Sequence, residues 1–88
     1  MELENLRKDI NEIDREIVKL YEKRLEAVRE VGKYKKENNL EVKNSAVEEK
    51  KLKDLSGCAS EENAEEIVKL FKFIFDESCN IQEDILNN

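Results

Sequence analysis

The 88-residue chain contains no histidine, no proline, no tryptophan, only two glycines and only two cysteines. Each shortage excludes something. Without histidine there is no imidazole to act as a general base and no histidine metal ligand. Cys58 and Cys79 stand too far apart for a CxxC site, so no metal centre is expected. No apolar run approaches the ~18 residues a membrane span needs, so no membrane partner is expected. The opening MELENLRKD is charged from its second residue and does not have the form of a secretory signal, which makes the reducing cytoplasm the expected compartment and leaves both cysteines as thiols. A formal charge of -6 argues against nucleic acid and against acidic membrane surfaces.

What is present is helical periodicity. With 43 % charged and 39 % hydrophobic residues the composition alone would allow disorder. However, Leu3, Leu6, Ile10, Ile13, Ile17 and Leu20 recur three and four apart, and no proline interrupts the chain up to Asn38. The expectation is an all-α chain of three helices over about 2–38, 46–56 and 61–86, in a single domain spanning 1–88. Asn38-Asn39-Leu40 ends the first helix. Ser45 with Glu48 has the form of a capping box that opens the second. Gly57 is read as its stop. Ser60 opens the third helix, with Glu61 and Glu62 near its positive end. The seam of the third helix is Ala64, Ile67, Phe71, Ile74, Ser78, Ile81 and Ile85, widened by Phe75, Gln82 and Leu86.

Length adds an architectural constraint. A 36-residue helix is about 54 Å long, whereas a compact domain of this size has a radius of gyration of about 12 Å. The apolar stripe of the first helix therefore needs a second chain, and the expected solution is an intertwined two-fold homodimer with the long helices pairing mostly antiparallel.

The informative residues are polar ones on apolar seams. Continuing the first seam past Leu20 reaches Arg24, which thus points inward. Lys35, eleven residues on, is only ~20° away around the helix, and a lysine leans back toward the helix N-terminus, bringing its ammonium toward Arg24. Two cations on a partly buried face need an anion. Ser78 and Gln82 come from the third helix, and Glu48 from the second. Taken singly each residue has a plain reading: Arg24 as a snorkelling seam arginine, Lys35 as part of a solvated face, Glu48 as the partner of Ser45 in the cap, Ser78 bonded to its own helix backbone, Gln82 half exposed. Gly32 reads as a position of close packing, Phe71, Phe73 and Phe75 as core or interface, and the two thiols as inert. Taken together, the polar set suits recognition of an anionic small molecule, and it contains no activated nucleophile. Arg7, seventeen residues from Arg24, is ~25 Å away along the axis. It could join the same ligand only from the antiparallel partner chain.

This set resembles the all-helical chorismate mutases nearly end to end. The resemblance is carried by Leu6-Arg7, Ile10, Ile13-Asp14, the segment from Tyr21 through Arg24 to Val28, Val31-Gly32-Lys33-Tyr34-Lys35, Val42-Lys43-Asn44, Glu48-Glu49, Leu70-Phe71 and Ser78-x-x-x-Gln82. It implies conversion of chorismate to prephenate, a step toward phenylalanine and tyrosine, by a homodimer of three-helix chains with two shared sites and no cofactor. It further implies that Arg24, with Arg7 of the partner chain, grips the substrate's two carboxylates. Lys35 and Gln82 would face the ether oxygen of the breaking bond, and Glu48 and Ser78 the ring hydroxyl, with Asn44 nearby. On this reading Arg24, Lys35 and Gln82 are the catalytic residues. Two positions depart from the family pattern: Asn44 stands where aspartate is usual and Val47 where arginine is typical, which implies a weaker enzyme or one adapted around the gap. An isochorismate pyruvate lyase on the same scaffold and a non-catalytic helical dimer module are the alternative readings.

Overall fold

A computed structural model describes residues 1–88 as three helices without strands: α1 (Glu2–Glu37), α2 (Ser45–Cys58) and α3 (Ala64–Leu86). α1 runs 36 residues without a break, as its uninterrupted 3–4 periodicity requires. Its end is built by asparagines. Asn39 takes a left-handed φ of 54°, one of the few side chains that accept that conformation. The Leu40 N–H then reaches back to the Lys35 carbonyl at 2.9 Å, and the Asn39 N–H to the Lys36 carbonyl, closing a Schellman-type stop.

The boundaries of α2 and α3 differ from the sequence expectation. Asn44, not Ser45, is the N-cap of α2: its backbone is extended and its side-chain oxygen accepts from the Val47 N–H at 3.2 Å. Ser45 is already the first helical residue, so no Ser45–Glu48 capping box forms and the Glu48 carboxylate is released from capping. Gly57 does not stop the helix. It keeps a negative φ inside α2, which ends only at Cys58, with Ala59 extended beyond it. Ser60 opens a turn instead of a helix: its carbonyl accepts from Asn63 three residues on, and the α-helical pattern starts at Ala64. Glu61 and Glu62 therefore precede the helix, and Glu65 and Glu66 occupy its positive first turn.

α3 is the platform. It packs against both α1 and α2, while α1 and α2 make no close approach to each other. They flank α3 and leave a groove between them. The α1–α3 contact is tight at Gly32, where a Cβ would lie 2.9 Å from Ile85 Cδ1 and 3.5 Å from the Gln82 Cα. The expected close packing at Gly32 is thus what the structure has. Phe75 is buried and meets Phe71 edge-on at 6.0 Å; Phe73 stays exposed.

The core ends there. Only Val28, Gly32, Val42, Phe75, Ser78 and Gln82 are buried. The whole N-terminal half of α1 is bare, with Leu6, Ile10, Ile13 and Ile17 each 52–56 % exposed. The radius of gyration is 16.2 Å and the longest extent 56 Å, well above the ~12 Å of a compact chain this long. The accessible surface of 7385 Å² exceeds the ~5,400 Å² of a compact monomer of 10.4 kDa by roughly 2,000 Å². No helix is long and apolar enough to cross a membrane.

Substitution at Gly32 tests the α1–α3 crossing. Alanine gains about 1 kcal/mol of helix propensity and has only to displace the mobile tip of Ile85, so Gly32→Ala is expected to leave urea-unfolding stability almost unchanged. Gly32→Val must push the α3 backbone away and is expected to cost about 1–3 kcal/mol.

Candidate active site

The groove between α1 and α2, floored by α3, has a volume of about 290 Å³. Arg24 and Lys35 line it from α1, Asn44 and Glu48 from the start of α2, and Ser78 and Gln82 from α3. Six of the seven residues singled out from the sequence thus share one cavity. Arg7 does not line it. It sits in the exposed N-terminal half of the same straight helix, ~25 Å from Arg24 along the axis.

Each side chain has a local reason for its place. Arg24 lies half-buried on the inner face of α1. Its Nη1 donates to Ser78 Oγ, and its guanidinium stands 5.8 Å from the centre of the Phe75 ring, a cation–π distance. The Ser78 hydroxyl accepts that bond and donates its own proton to the Ile74 carbonyl at 2.8 Å. Ser78 therefore both satisfies its own helix and holds Arg24. Lys35 shares the groove with Arg24. Its ammonium donates to the Val42 carbonyl at 2.7 Å, which ties the end of α1 to the loop before α2. An ammonium has three donors, so two remain for another acceptor.

Ser78 and Gln82 are only 7 % and 8 % exposed. Gln82 is thus fully on the inner face, and its Oε1 has no hydrogen-bond partner. A buried amide oxygen without a donor is costly. That oxygen has almost no accessible surface, so it faces the packing and not the groove. The other end of the amide is its N–H₂ group, a donor.

Glu48 is engaged by Cys79, whose Sγ donates to Oε2 at 3.4 Å. Burial pushes the Cys79 thiol above its usual range, reinforced by its hydrogen bond to Glu48 and by that carboxylate's charge, against a smaller opposing pull from Lys43 and Lys35. From the sequence alone Cys79 is no more than an inert thiol. The thiol is indeed kept protonated, but it lines the groove and holds a polar partner in it. Its place was readable, since it follows Ser78 directly and faces the same side as Gln82. Lys51 also lines the groove, one turn after Val47. Within the run Glu-Glu-Lys-Lys-Leu-Lys it carries no distinguishing signal.

The arrangement offers fixed cations, a carboxylate, a hydroxyl and an amide, with no nucleophile–base pair. It can bind and orient an anion. A family model described as chorismate mutase type II matches residues 6–83, so the chain belongs to the chorismate mutase type II family. No curated protein and no solved structure matches the chain.

The Cys79–Glu48 contact predicts a pH response. The folded thiol should ionise at higher pH than a free thiol, as followed by thiolate ultraviolet absorbance in a Cys58→Ser background. Glu48→Gln removes the carboxylate's charge and should move that titration down. Because folding holds this proton, stability should fall as pH rises from the ordinary thiol range toward the folded value.

Proposed function

We propose that the protein is a chorismate mutase, rearranging chorismate to prephenate in a groove completed by a second copy of the chain. The observation that carries this reading is that Arg24, Lys35, Asn44, Glu48, Ser78 and Gln82, spread over 59 positions of sequence from 24 to 82, line one groove. Membership of the family supports the substrate.

The reaction is unimolecular. A C–O ether bond breaks as a C–C bond forms, and negative charge grows on the ether oxygen as its bond lengthens. No proton, metal or covalent intermediate is required, so a chain without histidine suffices. Donors fixed at that oxygen stabilise the transition state more than the ground state. Lys35 has two donors free for this, and Gln82 offers the N–H₂ end of its amide, the end that is not buried. Arg24, steadied by Ser78 and Phe75, takes a substrate carboxylate and holds the flexible side chain in its compact reactive form. Glu48 accepts from the ring hydroxyl, with Asn44 beside it. Asn44 already spends its oxygen on the Val47 N–H, so its part is to place the first turn of α2.

Arg7 enters from the second copy. The bare stripe of α1 and the excess of roughly 2,000 Å² of surface are of the size that obligate homodimers bury per chain. Antiparallel pairing of two α1 helices brings Arg7 of one chain toward the Arg24 region of the other, which supplies a grip for the second carboxylate.

The direct test mixes purified protein with chorismate, follows loss of its ultraviolet absorbance and identifies the product. Prephenate is expected; unchanged chorismate, with no binding by calorimetry, contradicts the reading. Isochorismate giving salicylate and pyruvate instead would assign the lyase reaction. Arg7→Ala and Lys35→Ala should each lower kcat/KM by about 10²–10³-fold. When the two inactive variants are unfolded together and refolded, mixed dimers regain one intact site, so about a quarter of wild-type activity should return if sites are shared. No recovery contradicts sharing. Val47→Arg adds a cation to the first turn of α2 and should raise kcat/KM; no improvement would count against a cationic gap at this position.

A further inference from the structure

The groove contains one charge that neither the sequence pattern nor the reaction scheme above uses. We propose that Lys51 binds the substrate as the third cation that one chain brings to the site. This inference rests on the mutase reading and deepens it.

Two of the cations in the groove are already engaged. Arg24 is bonded to Ser78 and stacked near Phe75, and Lys35 is bonded to Val42. Lys51 also lines the groove, yet its ammonium makes no hydrogen bond and no ion pair. The only two ion pairs in the chain, Lys33–Glu30 and Lys69–Glu65, lie elsewhere on exposed faces. Glu48 is three residues away and Asp54 three residues beyond, both at ion-pair spacing on a helix, and neither takes the charge. Lys51 is thus a cation at the edge of an anion-binding groove with all three donors unspent.

Helix geometry gives it reach. Val47 and Lys51 stand at i and i+4 on the groove-facing side of α2. A helical side chain covers the turn N-terminal to its own Cα, so the Lys51 stem runs over Val47. The short apolar valine leaves that path open, whereas a long basic side chain there would occupy it. Lys51 also borders a second hollow, lined with it by Arg24 and Phe75, so it stands on the rim between the two spaces.

Charge balance points the same way. Within one chain the groove is lined by Arg24, Lys35 and Lys51 against Glu48, a net charge of +2 in a protein of net charge -6. Without Lys51 the lining is only +1. A dianion arriving from water against an acidic overall field depends on that local balance.

Lys50 and Lys53, in the same basic run, do not line the groove and act as internal controls. Steady-state kinetics with chorismate on the intact protein decides the matter, backed by calorimetric titration of chorismate. Lys51→Met is expected to lower kcat/KM by about 10-fold, mostly through KM, the effect of one charge-assisted hydrogen bond. Its thermal melt should be unchanged, and KM should lose part of its salt dependence. Lys51→Arg should keep most activity and Lys50→Met all of it. Val47→Arg should help more in the Lys51→Met background than in the wild type, because the two cations serve one anion. If the wild type converts chorismate and Lys51→Met stays within about twofold of it, less than the worth of one such bond, Lys51 is a solvated surface lysine and the inference fails while the mutase reading stands. If the wild type neither converts nor binds chorismate, the mutase reading fails and the inference falls with it.

Discussion

The length of α1 sets how much of it the other two helices can cover. A straight 36-residue helix extends about as far as the whole molecule, 56 Å, and α3, at 23 residues, can cover only part of it. The covered part holds Val28 and Gly32 and forms the core. The uncovered part carries the apolar stripe from Leu3 to Leu20 with nothing against it. The one tight crossing, at Gly32 against Gln82 and Ile85, fixes where along α1 the third helix lies. It thereby decides that Arg24 and Lys35 belong to the groove and that Arg7 does not. The groove takes its cations from one chain, and it lies next to a helix half that no other element covers. Pairing two chains through the stripe would cover that half.

Inside the groove, polar side chains are held mainly by one another and by backbone. Ser78 steadies Arg24, Val42 steadies Lys35 and Cys79 steadies Glu48. Such support restricts the rotamers before a ligand arrives, which reduces the ordering cost of binding. It also suits a reaction whose demand is placed charge, since fixed donors need not reorganise as the ether oxygen gains charge. The acidic surface gives an incoming dianion no long-range help. Attraction must come from the few cations at the groove itself, which makes each of them count.

Much of this was legible in the sequence because it follows from periodicity. The 3–4 spacing gave α1 to within a residue of its end, and the same spacing on α3 put Ser78 and Gln82 on the inner face where they are found. Capping was less legible, because adjacent residues competed for one role. Asn44 and Ser45 can both cap a helix, and the extended backbone at Asn44 decided it. Gly57 could stop a helix but is not obliged to, and it stayed helical with open space around it. At the start of α3, acidic residues at 61, 62, 65 and 66 serve two possible starts equally well. Lys51 was hidden for a different reason: in a run of lysines, only the packing of α2 on α3 says which one faces the groove. The bond from Lys35 to the Val42 carbonyl was not legible either, since a loop carbonyl is absent from any helical-wheel reasoning.

If one chain is half of a site, molecular mass by sedimentation and specific activity toward chorismate should change together over one dilution series. The expected species has twice the 10.4 kDa chain mass, and its specific activity falls in step with its dissociation. A monomer at micromolar concentration whose specific activity does not change on dilution would contradict it.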